Sequence, residues 1–96
     1  MNFGEHFEWD EEKEASNLSK HGVSFLEAVG AFADPRRLIL PDLGHSHDEP
    51  RWYCLGRVGD GILTVRFTKR GSRVRIIGAG YWRRGKRLYE TQNQVR

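Results

Sequence analysis

Apolar residues recur at every second position along Leu63, Val65 and Phe67 and again along Val74, Ile76 and Gly78. That is the period of a strand with one buried face, so Ile62 to Ala79 reads as a β-hairpin. With the tight turn at Arg70-Gly71, Phe67 faces Val74, Val65 faces Ile76 and Leu63 faces Gly78. A slip of one residue would set Phe67 against Arg75 and mix the faces. The same register places Arg66 across from Arg75, and Thr68 across from Arg73, on the opposite face. Opposed arginines repel unless they splay into water or an anion lies between them, and the pattern leaves both outcomes open.

The alternation extends upstream. Trp52, Cys54 and Gly56 share one side of a strand over Arg51 to Val58, and Gly59-Asp60-Gly61 is a turn signal. Matching the apolar faces pairs Trp52 with Phe67, Cys54 with Val65 and Gly56 with Leu63, which sets Tyr53 across from Arg66. Phe7-Glu8-Trp9 reads as a short edge strand leading into a helix over about Glu11 to His21. Asp10 is its N-cap, acidic residues fill its first turn, Ala15 and Leu18 form a thin apolar stripe, and Gly22 is its stop. Ser24 to Glu27 is a capping box, followed by Phe25, Ala28, Val29 and Phe32 at helical spacing, and Asp34-Pro35 ends that second helix. Arg37 to Leu40 forms a further strand, Pro41 to Pro50 a polar loop, and Leu88, Gln92 and Val95 mark a short final helix. The expected class is α+β: two N-terminal helices packed on an antiparallel sheet of about four strands, with a short C-terminal helix.

A chain of 96 residues forms one domain, residues 1–96, and buries about two thirds of its unfolded surface. At 38% hydrophobic and 30% charged it has a globular composition, with no apolar run of membrane-spanning length. The first ten residues lack the layout of a secretory signal, so a cytoplasmic protein is expected. Cys54, the single cysteine, lies in an alternating apolar stretch and reads as a small buried hydrophobe. His45, His47, Asp42, Asp48 and Glu49 share a loop but lack the spacing of a zinc site, so no metal or cofactor is expected there.

Charge changes the picture more than composition does. From Arg51 onward there are twelve basic residues against Asp60 and Glu90, whereas the first fifty residues hold four basic against eleven acidic ones. A split of that kind points to a nucleic-acid surface in the second half. Within it, Gly80-Tyr81-Trp82-Arg83-Arg84-Gly85-Lys86-Arg87 interleaves cations with aromatics and glycines. Arginine and lysine hold phosphates while rings stack on unpaired bases, which makes Tyr81, Trp82, Arg83, Arg84 and Lys86 candidate RNA-binding residues. The same aromatics would also serve to anchor a terminal helix in the core.

Several segments resemble the BrnT family of toxins from bacterial type II toxin–antitoxin systems. They are Phe7-Glu8-Trp9-Asp10, Asn17-Leu18-Ser19-Lys20-His21-Gly22-Val23-Ser24-Phe25, Glu27-Ala28, Phe32, Asp34-Pro35, Arg51, Gly56-Arg57 and Arg75-Ile76-Ile77. The resemblance implies a RelE-like fold and a ribonuclease that arrests translation. It also implies a BrnA-like antitoxin, through which the complex reaches operator DNA. The chain departs from the family's pattern after Ile77, where Gly78-Ala79-Gly80 replaces a Ser-Ala-Arg run, and Arg83 or Arg84 is the candidate to take over from the arginine expected near position 80.

Metal-independent RNA cleavage needs the 2′-hydroxyl deprotonated, the phosphorane charge stabilised and the 5′-oxygen protonated. Arg57, Arg66 and Arg75 are the candidates for the charge, because guanidinium grips phosphate oxygens without losing its proton. His21 is the candidate for proton transfer, as imidazole is the side chain suited to it, though at a helix end it can equally satisfy the last carbonyls. Tyr53 is the candidate to orient or stack a base. The rival readings are a nucleic-acid-binding module without catalysis and a basic face that serves only to bind the antitoxin.

Overall fold

The computed structural model describes residues 6–45 and 48–94. In chain order the elements are β1 (Phe7–Trp9), α1 (Glu11–His21), α2 (Phe25–Val29) continuing as a 3-10 turn (Gly30–Ala33), β2 (Leu38–Pro41), a 3-10 turn (Leu43–His45), β3 (Arg51–Val58), β4 (Gly61–Arg70), β5 (Arg73–Gly80) and α3 (Arg83–Gln92). The α+β class stands, but the sheet is larger than expected and mixed. Five strands lie in the order β1-β5-β4-β3-β2; β1 runs parallel to β5 and every other neighbouring pair is antiparallel.

Helix α1 has the span its end signals predict. The Asp10 carboxylate accepts from the backbone N–H groups of Glu12 at 2.8 Å and Lys13 at 3.3 Å, and Gly22 closes the helix at φ 71°. The expected apolar stripe, however, does not dock it: Ala15 is exposed and Leu18 is 50% exposed. Asn17 docks it instead. Strand β1 stops pairing at Trp9, opposite Ile76, which leaves the edge of β5 beyond that point without a strand partner. The Asn17 side chain donates to the Ala79 carbonyl at 2.9 Å and accepts from the Ala79 N–H at 3.1 Å, and it also donates to Val23 O at 3.0 Å. One amide thus stands in for a strand backbone at a buried edge.

Helix α2 is a single α-turn rather than the longer helix its spacing suggests, and it tightens to 3-10 geometry at Gly30. Ser24 Oγ accepts from Glu27 N as the capping box predicts, while the Glu14 carboxylate of α1 accepts from Phe25 N at 2.9 Å. Phe25, Ala28 and Phe32 are buried against Cys54, Leu63, Val65, Phe67, Ile76 and Ala79 on the inner face of the sheet. Ring edges interlock there, with Phe32 5.0 Å from Phe7 and 5.1 Å from Phe67. Cys54 is fully buried and its thiol is pushed up to about 12 by that burial, so it is a core residue and not a nucleophile.

The β3–β4 pairs match the expected register residue for residue, including Tyr53 opposite Arg66. The β4–β5 pairs do not. The two-residue loop is Gly71-Ser72, with Gly71 at φ 63° and Arg70 opposite Arg73, because a tight hairpin turn needs positive φ at its first central residue. Phe67 therefore faces Ile76 rather than Val74, and Thr68 faces Arg75. An irregularity between Arg66 and Phe67 then leaves Ile77 extra, so Val65 meets Ala79 and Arg66 meets Gly78. The expected opposition of Arg66 and Arg75 does not exist.

On the outer face, α3 covers β3 and β4 with Tyr89, which packs on Leu55 and Ile62. Tyr89, not the expected Leu88, is the inward residue: Leu88 is 39% exposed. Val95, also expected on that helix, lies outside the described residues.

Candidate functional site

The seam where α1 meets β5 opens outward as a cleft of about 250 Å³ lined by Lys13, Ser16, Asn17, Lys20, His21, Arg66, Ile77, Gly78 and Trp82. Its construction follows from local structure. Positions 13, 16, 17 and 20 fall on one helix face, so fixing Asn17 to β5 aims Lys13 and Lys20 to either side of it. Arg66 reaches the cleft from β4 across Gly78. A methyl group added at Gly78 would lie 3.4 Å from Arg66 Nη2 and 3.5 Å from Nε, so the bare glycine is the ground over which the guanidinium lies. His21 and Trp82 close one end, ring centroids 5.2 Å apart at 86°. No carboxylate lines this cleft among the described residues, so the charges of Lys13, Lys20 and Arg66 converge on open space.

Tyr53 is the neighbour of Arg66 on the side away from α1. Its hydroxyl is pushed up by burial and by the nearby Asp42 carboxylate, while the positive charges of Arg66 and Arg84 act in the opposite direction. Arg83, Arg84 and Lys86 project from the first turn of α3 and are exposed. They stand at the helix end where the macrodipole disfavours cations and favours anions.

Two of the expected catalytic arginines lie elsewhere. The Arg57 guanidinium rests 6.0 Å from the Tyr89 ring centroid, and its backbone N–H donates to Asp34 at 2.7 Å. Asp34 is the anchor of that corner. Burial alone would raise its carboxyl, but hydrogen bonds from the Tyr89 hydroxyl and from the Arg57 and Arg36 N–H groups, with the charge of Arg57, bring it below the usual range. Arg75 is held by Glu8 at 2.8 Å on the β1 side. Tyr81 donates to Glu27 at 2.6 Å and its hydroxyl is pushed up to about 12 by burial and by that carboxylate, which makes it a staple between α2 and the start of α3. The structure thus gathers His21, Arg66 and Trp82 in one cleft with Tyr53 alongside, and leaves Arg57, Arg75 and Tyr81 outside it.

Lys13, Ser16 and Lys20 were not expected here, since an overall count makes the first half of the chain acidic. The signal was the seven-residue spacing of the two lysines, which puts both on one face of α1 while Glu11, Glu12 and Glu14 point elsewhere. In the loop after β2, His45 is hydrogen-bonded to Asp42; His47 lies outside the described residues.

A family model described as a ribonuclease toxin, BrnT, of a type II toxin-antitoxin system matches residues 9–85. The chain belongs to this family. No curated protein matches it. The match covers every lining residue of the cleft and both turns of the meander. Among the described residues no helix is long and apolar enough to cross a membrane.

Proposed function

We propose that this BrnT-family chain is an endoribonuclease that cuts RNA by transphosphorylation without a metal ion, acts in the cytoplasm, arrests translation and is neutralised by a BrnA-like antitoxin. The observation that carries the reading is the convergence of Arg66, Lys13 and Lys20 on one open cleft beside His21 and Trp82. Three cations around one phosphate supply the charge stabilisation that the phosphorane requires. Trp82, 36% exposed, offers a ring to an unpaired base. His21 supplies the proton for the departing 5′-oxygen. Arg83, Arg84 and Lys86 extend the positive surface along α3 and hold flanking phosphates.

A surface of this kind binds RNA indiscriminately in a cell, so the antitoxin covers it most simply with acidic and apolar side chains, reaching operator DNA through its own fold. Toxin and antitoxin then associate faster at low salt than at high salt.

The test is incubation of purified protein with end-labelled single-stranded RNA in EDTA. New ends carrying a 2′,3′-cyclic phosphate are expected. Activity abolished by EDTA and restored by a divalent ion would overturn the metal-independent reading, and tight binding with no cleavage would reduce the chain to an RNA-binding module.

A further inference from the structure

The fold treats the two sides of its sheet differently. Where β5 runs past β1 its edge is filled by Asn17, whereas β2, the terminal strand on the other side, pairs only with β3. Asp42 N donates to Arg51 O at 2.8 Å, toward β3. Successive residues of a strand turn their N–H and C=O groups to alternate edges, so Leu38 and Leu40 also bond β3 while Ile39 and Pro41 turn theirs away from it. A missing N–H is harmless there, which is where an edge strand tolerates proline. Among the described residues no hydrogen bond reaches the N–H or C=O of Ile39. Ile39 is 44% exposed, and Leu43 just beyond the strand is 83% exposed.

We propose that this edge joins two copies of the chain, β2 against β2 in antiparallel pairing about a two-fold axis at Ile39, so that the two sheets become one. The backbone sets the register. Any residue facing Ile39 across the edge must itself turn its polar groups away from β3, which limits the choice to Arg37, Ile39 and Pro41 in and beside the strand. Pro41 has no N–H, and Arg37 N already donates to Asp34 O at 3.0 Å. Only a second Ile39 can both donate and accept.

The side chains agree with that register. Arg36-Arg37-Leu38-Ile39-Leu40-Pro41-Asp42 is complementary to itself when reversed, with cations at one end, an acid at the other and apolar residues between. Leu38 of one copy lies across from Leu40 of the other, on the face where both pack on the Leu55, Ile62 and Tyr89 cluster, so the two clusters join. On the opposite face Ile39 meets its own counterpart. The Arg36-Arg37 end of each copy approaches a cavity of about 360 Å³ lined by Pro41, Leu43, Trp52, Asp48 and Glu49 of the other, so unlike charges meet on both sides of the axis. A contact of this isologous kind closes at two copies. The pattern that fits the edge is carried by the chain itself, which favours a second copy over an extended segment of the antitoxin. The inference does not depend on the ribonuclease reading, and Arg66, on β4 two strands in from the edge, keeps its cleft open in the pair.

A four-strand-residue edge buries less than the roughly 1,200 Å² of stable interfaces, so association is expected between about 10 µM and 1 mM. Sedimentation equilibrium of the purified chain over that range is expected to show the mass rising from 11.1 kDa toward twice that value. Ile39→Pro removes the one N–H that the pairing uses and no bond to β3, while Ile39→Lys sets like charges directly opposite each other. Each is expected to weaken association by about tenfold or more with the circular dichroism of the unaltered chain. Ile39→Cys tests the register, because a hydrogen-bonded antiparallel pair brings its Cα atoms to about 5.5 Å, within reach of a disulfide. Under a mild added oxidant it is expected to form a disulfide-linked dimer faster than Leu26→Cys, placed at an exposed position on α2. The proposal is overturned if the chain keeps a mass of 11.1 kDa up to about 1 mM, if folded Ile39→Pro or Ile39→Lys dimerises as readily as the unaltered chain, or if Ile39→Cys cross-links no faster than Leu26→Cys. A monomeric chain whose Ile39 amide is shielded from hydrogen exchange only in the antitoxin complex would overturn it too, and would give the edge to the antitoxin.

Discussion

The two ends of the β4–β5 hairpin carry the same kind of side chain in opposite electrostatic situations. At the turn end each arginine finds a carboxylate: Arg70 meets Glu49 at 3.2 Å, Arg75 meets Glu8 at 2.8 Å, and Arg73 lies 3.8 Å from Glu8. At the cleft end Arg66 shares its space with Lys13 and Lys20, and no ion pair among the described residues reaches any of the three. The difference teaches which arginines are already neutralised by the fold and which await an anion from outside. A count of positive charge along the sequence treats them alike, whereas an acidic neighbour on an adjacent strand or loop decides what each can bind.

The strongest way to break this comparison is to truncate one arginine at each end. Arg66→Ala is expected to lower RNA cleavage by about a hundredfold or more, the usual loss when a positioned donor leaves a charge-stabilising site. Arg75→Ala removes only an ion pair at the sheet edge, and is expected to change the rate by less than about fivefold, the equivalent of roughly 1 kcal/mol. Single-turnover rates on one RNA, with circular dichroism to confirm folding, decide it. Equal losses would mean that the cleft and the turn form one site.

A smaller effect is expected from the glycines that shape the two ends. Gly78→Val places side-chain carbons where the Arg66 guanidinium lies and displaces it, for an expected loss of about tenfold to a hundredfold in rate with little change in thermal stability. Gly71→Ala puts a side chain at φ 63°, which costs roughly 1–2 kcal/mol of stability and leaves cleavage at saturating RNA unchanged. A rate loss in Gly71→Ala, or none in Gly78→Val, would reverse the assignment of the two ends.

The same hairpin shows how far the sequence was legible. The alternation of apolar residues selects which face a residue occupies, but moving the partner strand by two residues preserves both faces, so the pattern cannot tell a turn at Arg70-Gly71 from one at Gly71-Ser72. The extra residue at Ile77 is invisible to any strict period of two. Those two shifts together separate Arg66 from Arg75 and set Gly78 under Arg66. Helix α1 was legible because its end signals, Asp10 and Gly22, are local. Its docking was not, because Asn17 is a polar residue that binds a strand edge 62 positions away, and the parallel pairing of β1 with β5 is equally non-local. Tyr53 was singled out for its place beside Arg66, while the pairing of Asp42 with His45 depends on how the loop after β2 folds back.

The finest test neutralises the acid rather than the base. Glu8 lies directly across from Arg75 on β1, and its carboxylate serves both Arg75 and Arg73. Glu8→Gln keeps the shape of the side chain and removes its charge. Loss of a part-exposed ion pair lowers stability by less than about 1 kcal/mol. Two arginines at the turn end then become available to phosphate, so RNA binding should tighten slightly and depend more steeply on salt. For one additional phosphate contact to a single strand, the slope of log K against log salt becomes more negative by about 0.7. The cleavage rate at saturating RNA should stay the same, because Arg75 sits opposite Thr68, two positions along β4 from Arg66, and a phosphate held there is a flanking one. A changed rate at saturation would show that the turn end takes part in the reaction, whereas a steeper salt slope with an unchanged rate would confine the chemistry to the cleft end.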